Sequence, residues 1–243
     1  MTRRRHKTNG RRAGEIPALQ VQQDAYEQIA NLAPKEREHR TGPNEVQKVQ
    51  VKLRRFAISW AFPLDEILFS KFFVNFLALP VMPWDHILTA QSTYLPDARN
   101  TLHSNFLQAG SKWLVMLDSD VLPPPNFLDR LLSHKLPMVG GWYRKKKAPF
   151  HPIVYDRSAE FDEHGSYKFT PRIHPGKGLE KVDAAGAGCW LMSREVAVAI
   201  GEQPYDMLKG GEDLALCEKV RAAGFDIYID WDVACAHAGV SYV

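Results

Sequence analysis

From residue 56 onward the chain alternates short apolar runs with longer stretches of helical spacing. Phe56–Phe62 reads as a buried strand ended by Pro63, followed by a helix over about 64–78 and a strand over His86–Ala90. Asp97–Ala109 then repeats the helical period, and Lys112–Leu117 is an almost continuous apolar run of strand length. A helix over Asn126–Ser133, a strand over Pro137–Val139, a helix over Glu212–Ala223 with Gly224 at its end, and a strand over Phe225–Asp230 complete the pattern. Strands separated by helices predict an α/β fold, a mostly parallel sheet with crossover helices on its faces. Residues 150–180, rich in His, Pro and Gly, read as an irregular insertion with room for a hairpin.

The first fifty residues follow another pattern. Residues 1–14 are polar, basic and turn-rich, and are expected to be a disordered arm. Residues 15–50 read as a helical extension and linker, with Ile16, Leu19, Ala25, Tyr26, Ile29, Ala30 and Leu32 forming an apolar stripe before Pro34. The domain proper is placed at 51–243.

An apolar content of 45% with 24% charged residues suits one globular domain with an appendage. The net charge of +3 is unevenly placed: residues 1–12 carry six Arg and Lys and no acid, leaving 25 basic against 28 acidic residues elsewhere. A mildly acidic body argues against nucleic-acid binding as the main role, although the arm could deliver the domain to DNA. Three widely spaced cysteines, Cys189, Cys217 and Cys235, form neither a disulfide framework nor a zinc motif. Polar sequence after the basic start gives no secretory signal, and Lys71, Asn75 and Pro80 interrupt the longest apolar region, Ile67–Trp84. The expectation is a cytoplasmic protein without a membrane anchor.

Chemistry concentrates at Asp118-Ser119-Asp120, which follows the 112–117 strand and precedes Pro123-Pro124-Pro125. Alternation along a continuing strand puts Asp118 and Asp120 on one face, where two carboxylates repel unless a cation joins them. Oxygen-rich sites of that kind suit Mg²⁺ or Mn²⁺. Asp230-Trp231-Asp232 is a rival triplet, read as solvated acids at a strand end, and His237 beyond it is a candidate metal ligand among small residues. Gly210-Gly211-Glu212-Asp213 opens a helix, where acids are favoured by the dipole but where Asp213 could also serve as a base of low pKa. Gly186 and Gly188 would let backbone approach a ligand closely, Trp190 would offer an apolar face of the kind a sugar ring stacks on, and Trp142, Tyr143 and Lys145–Lys147 would line the same cleft or neutralise phosphate.

Taken in order, Asp97-Ala98-Arg99-Asn100, Asp118-Ser119-Asp120, the Gly-rich 184–190 segment, Gly211-Glu212-Asp213 and His237 resemble the GT-A nucleotide-sugar glycosyltransferases, particularly their family 2-like branch. The resemblance spans about residues 54–240. It implies a GT-A, Rossmann-like domain that transfers a sugar from a nucleoside-diphosphate sugar, UDP-linked above all, to an acceptor hydroxyl with inversion. Asp120 and His237 would hold Mn²⁺ or Mg²⁺, with Asp118 as a further or water-mediated ligand or a ribose contact. Asp213 would be the base, with Glu212 beside it on the sugar. Ser59, Pro63, Arg99, Asn100, Asp118 and Ser119 would contact the nucleotide. The acceptor is left open between protein, glycan and modified DNA, some phage-encoded enzymes of this kind acting on nucleic-acid bases. A sugar nucleotidyltransferase is the alternative, but Ser59-Trp60-Ala61-Phe62-Pro63 is not the Gly-rich basic loop such an enzyme needs after its first strand.

Overall fold

Strand β1 (Ile58–Leu64) is buried along almost its whole length because it pairs on both sides, with β2 (His86–Gln91) and β3 (Trp113–Leu117), both parallel to it. A computed structural model describes residues 56–64, 68–161, 163, 165, 167–207 and 211–239. The basic arm and the 15–50 extension lie outside the described residues, and those that are described belong to one unit, Leu53–Val243.

The other strands are β4 (Val121–Leu122), β5 (Met138–Trp142), β6 (Val154–Phe161), β7 (Tyr167–Pro171), β8 (Leu179–Val182), β9 (Ala184–Ala185), β10 (Cys189–Ser193), β11 (Ile227–Ala234) and β12 (Ala236–His237). The main sheet has seven strands in the order β2-β1-β3-β10-β5-β11-β8. Only β10 and β8 run against the rest. The fold is therefore α/β and Rossmann-like, with a mixed, mostly parallel sheet. β6 and β7 form a hairpin in the 150–180 insertion, and β6 pairs on its other side with β9.

Alternation along the strands divides the core. Leu114 and Met116 point to one face, Val115 and Leu117 to the other, and all four are buried. Helices α2 (Leu95–Ala109), α4 (Arg194–Ile200) and α5 (Glu212–Ala222) cover the first face; α1 (Ser70–Leu77) and α3 (Phe127–Ser133) cover the second. In α2, Pro96 and Asp97 start the helix, Gly110 (φ 76°) ends it in the left-handed conformation, and Ala98, Leu102 and Phe106 form the buried stripe. Each such fully buried large side chain contributes roughly 1.5–3 kcal/mol.

One core residue of α2 sets an acid limit on stability. His103 is fully buried; its Nε2–H donates to the Ala197 carbonyl, and Nδ1 has no partner. Burial pushes its pKa down to about 4, against the weak upward pull of backbone carbonyls. The folded pKa lies below the unfolded one, so this contribution is present above pH 6.5 and is lost as pH falls through 4. Integrating the linkage gives a loss of about 3 kcal/mol between pH 7 and pH 4. Urea unfolding at the two pH values should show it, and the loss should shrink in His103→Gln.

Two predicted boundaries change. β1 does not stop at Pro63 but runs through it to Leu64: its pairing with β3 ends at Ala61 opposite Met116, so Pro63, opposite Ala90 of β2, sits where β1 has a partner on one side only. The following helix starts at Ser70 rather than near residue 64. Among the described residues no helix is long and apolar enough to cross a membrane.

Candidate active site

The parallel strands β1, β3, β5 and β11 end on one edge of the sheet, and antiparallel β10 begins there. Open α/β sheets bind ligands beyond this edge. Asp118 follows β3, Tyr143 follows β5, Gly188 precedes β10 and Cys235–His237 follow β11, so four separate segments converge on one spot.

Arg99 organises one half of the site. It projects from α2 and is 1% exposed. Its Nη2 donates to both carboxylate oxygens of Asp118 at 2.8 Å, and Nη1 donates to Glu212 Oε1 and Asp213 Oδ1, each at 2.7 Å. The two acids of α5 reach Arg99 because they open that helix, where the dipole favours them, after Gly211 at φ 149°, a conformation side chains rarely adopt. One guanidinium cannot neutralise three carboxylates. Burial first, and then the charges of Glu212 and Asp118, push Asp213 up to about 6, although Arg99 and the Ala187 backbone N–H pull the other way. The expectation of a low pKa at the helix start is thus overturned: crowding and desolvation outweigh the dipole.

Asp120 and His237 form the other half. The chain turns at 118–121, with Val121 N–H donating to the Asp118 carbonyl, so the two aspartates diverge instead of sharing a strand face. β12 then pairs with β4, setting His237 opposite Val121, and Ala238 N–H donates to the Asp120 carbonyl at 2.7 Å. His237 Nδ1 is 2.6 Å from the Arg144 carbonyl, which can only accept, so the proton lies on Nδ1. Nε2 therefore faces Asp120 Oδ1 at 3.5 Å, donating to it when the ring carries a second proton and offering a lone pair when it does not. Two acceptors at that separation invite a proton or a cation between them. The backbone-anchored imidazole is the tautomer that ligates metals. Lys146 Nζ donates to the other oxygen of Asp120 at 2.5 Å. Burial alone would raise the Asp120 pKa, but hydrogen bonds and charge from His237 and Lys146 outweigh it and hold the carboxyl below its ordinary value.

The donor set fits a hard divalent ion sparsely. Among the described residues no group of three His, Cys, Asp or Glu side chains is arranged to hold a metal. Asp120 and His237 supply one oxygen and one nitrogen, as in sites that Mg²⁺ or Mn²⁺ completes with water and substrate phosphates. Asp118 does not join them, since both its oxygens are bound to Arg99.

Several expected ligand contacts are internal. Ser59 is the second residue of β1, roughly 16 Å back from the strand's far end at ~3.3 Å per residue, and bonds Ser111. Pro63 and Ser119 are buried. Arg99 bonds the three carboxylates described above. Asn100 exchanges hydrogen bonds with the Tyr205 backbone at 2.8 and 2.9 Å. Trp190 lies mid-sheet, paired with Met116 and Gly140, its ring filling the space where a Gly140 Cβ would stand. It offers no face to a sugar. Gly186 and Gly188 admit close approach, but of the protein's own Tyr143, whose hydroxyl would meet either Cβ within 2.6 Å and accepts from Gly188 N–H at 2.9 Å. Trp142 is half-buried against Trp231, 5.5 Å between ring centres. The rival triplet is solvated only in part: Asp230 is fully buried and bonded to Arg130 and His134, while Asp232 is exposed and shares Arg130. Gln91, Ser92 and Thr93, at the end of β2, are exposed and open to a ligand.

No family model matches the chain, and no curated protein does. Solved structures do. The chain is similar to A197 from STIV at 16% identity and TM-score 0.53, over 76% of this chain and 86% of that one. It is also similar to GalNAc-T7, crystallised with UDP, GalNAc and Mn²⁺, at 12% identity and TM-score 0.51, over 75% of this chain but only 43% of that enzyme. An apo UDP-glucose pyrophosphorylase, at 8% identity and TM-score 0.40 over 72% of this chain and 73% of that one, is too loose a likeness to bear on it. What is shared is the fold.

One participant escaped the sequence pattern, and another was visible only as part of a lysine run. Tyr205 is buried beside the acids, its ring 5.8 Å from the Arg99 guanidinium and its hydroxyl without a protein partner. Nothing in Gln203-Pro204-Tyr205 distinguishes it from loop. Lys146 is one of three consecutive lysines, and only the fold separates it from its neighbours by laying it on Asp120.

Proposed function

We propose that this chain is a metal-dependent glycosyltransferase that moves a sugar from a nucleoside-diphosphate sugar, UDP-linked by preference, to an acceptor hydroxyl with inversion. The observation that carries the reading is the pairing, on one sheet edge, of a half-built metal site (Asp120, His237) with a half-buried carboxylate of raised pKa (Asp213). Bond cleavage at a nucleotide sugar needs both: a cation where the diphosphate leaves and a base where the acceptor loses its proton. The likeness in fold to an enzyme crystallised with UDP and Mn²⁺ supports it.

In this reading a divalent ion, when bound, stabilises the charge that develops on the departing diphosphate. Asp120 and His237 hold it, and Arg144 fixes the imidazole through Nδ1. Arg99 pins one oxygen of Asp213, setting the carboxylate's direction. Asp213 takes the acceptor proton, and its pKa near 6 makes it a stronger base than an ordinary aspartate while leaving it ionised at neutral pH. Glu212, which accepts from Arg99 through Oε1, turns its other oxygen to the sugar hydroxyls. Asp118 holds Arg99 in place, and Gln91–Thr93 border the nucleotide.

The metal half is testable without an acceptor. UDP with Mn²⁺ should stabilise the chain by about 2.7 kcal/mol at a ligand concentration of ~100 times the dissociation constant, and UDP alone by much less. Asp120→Ala and His237→Ala should each remove the metal-dependent part in a thermal-shift assay. Retention of the full shift in both would place the metal elsewhere.

A further inference from the structure

We infer that Lys146 is an internal counter-ion that stands in the metal's place on Asp120 and makes metal binding depend on the nucleoside diphosphate. The inference rests on the metal-dependent reading above and adds to it a residue and an order of events.

Asp120 divides its two oxygens: Oδ1 faces His237 Nε2 at 3.5 Å, and Oδ2 receives the Lys146 ammonium at 2.5 Å. A divalent ion arriving alone thus meets a carboxylate that is already neutralised. It must either share it with a cation a few ångströms away or push that cation off. The surroundings worsen the position of a bare ion, since Arg144, Lys145 and Lys147 lie on the same loop.

The backbone of the loop is tied to its neighbours. Tyr143 is buried, the Arg144 carbonyl anchors His237, and Lys145 N–H donates to the His151 carbonyl. The Lys146 side chain is 40% exposed, so its ammonium can swing without disturbing the core. A diphosphate supplies what the displaced ammonium needs, a new anion beside the one it leaves. Metal and diphosphate then favour each other beyond their direct contact: the phosphate takes Lys146, and the vacated Asp120 takes the metal. Such coupling is reciprocal, so the metal must strengthen nucleotide binding by the same factor.

The test is Mn²⁺ binding, followed by electron paramagnetic resonance of the free ion at physiological ionic strength. Wild type, Lys146→Met and Lys146→Gln are each titrated with and without UDP. In wild type, Mn²⁺ alone should bind weakly and UDP should tighten it strongly. In both variants Mn²⁺ alone should bind at least fivefold tighter than in wild type, while the UDP-dependent gain falls at least tenfold. Metal affinity without UDP that is unchanged or weaker in both variants overturns the inference, while UDP-enhanced binding in wild type leaves the metal reading standing. Failure of all three proteins to bind Mn²⁺ even with UDP overturns both.

Discussion

Replacing Asp213 by Asn should lower turnover by about 10²–10⁴, the usual range for loss of a general base, and leave nucleotide-sugar affinity nearly intact. Asn keeps the shape and one acceptor for Arg99 but cannot take a proton. The split between turnover and affinity separates this role from a helix cap, whose loss would act on stability instead. The pH profile carries the same information. Burial and the neighbouring carboxylates push the Asp213 pKa up to about 6. Wild-type turnover should therefore rise with pH through about 6 and level off above it, as the base loses its proton. Asp213→Asn should lose that rise. A profile unchanged by the substitution would move the base elsewhere.

The largest effect on stability should come from Arg99. Its removal, as in Arg99→Met, leaves Asp118, Glu212 and Asp213 facing one another with no compensating charge among their present partners. Breaking a buried ion cluster from one side costs about 3–5 kcal/mol. The sign with pH follows from linkage. Without Arg99 the folded carboxylates hold protons more tightly than unfolded ones, their pKa values being raised, so the variant loses stability as pH rises through those values and regains it as pH falls. Urea unfolding at pH 7 and pH 5 should show a large deficit at the first and a smaller one at the second. An equal deficit at both would mean that Arg99 acts by filling space.

Much of this architecture is legible in the chain because hydrophobic period and buried strands coincide. The run into Asp118 reads as a strand because it is one, buried between β1 and β10. The hairpin in the 150–180 insertion follows from its turn residues. His237 is visible as a candidate but not as Asp120's neighbour, since a two-residue pairing of β12 with β4 brings them together. Alternation fails at Asp118 for a local reason: a turn replaces the strand one residue too early for the two aspartates to share a face. Trp190 shows the opposite error. An aromatic beside glycines reads as a sugar platform, but those glycines make room for Tyr143, and Gly140 makes room for Trp190. Buried Arg99 could not be told from a surface arginine, because its partners lie 19 to 114 residues away.

The central claim, that this edge of the sheet splits a nucleotide sugar with the help of a divalent ion, meets its most direct test in nucleotide release. The purified chain is incubated with a panel of UDP-, GDP-, CDP- and dTDP-sugars, with Mn²⁺ or with chelator, and free nucleotide is measured. The account predicts release from at least one UDP-sugar with Mn²⁺, none with chelator, and loss of release in Asp120→Ala. Release that persists undiminished in chelator and in Asp120→Ala, or none from any donor that binds the chain, would contradict it.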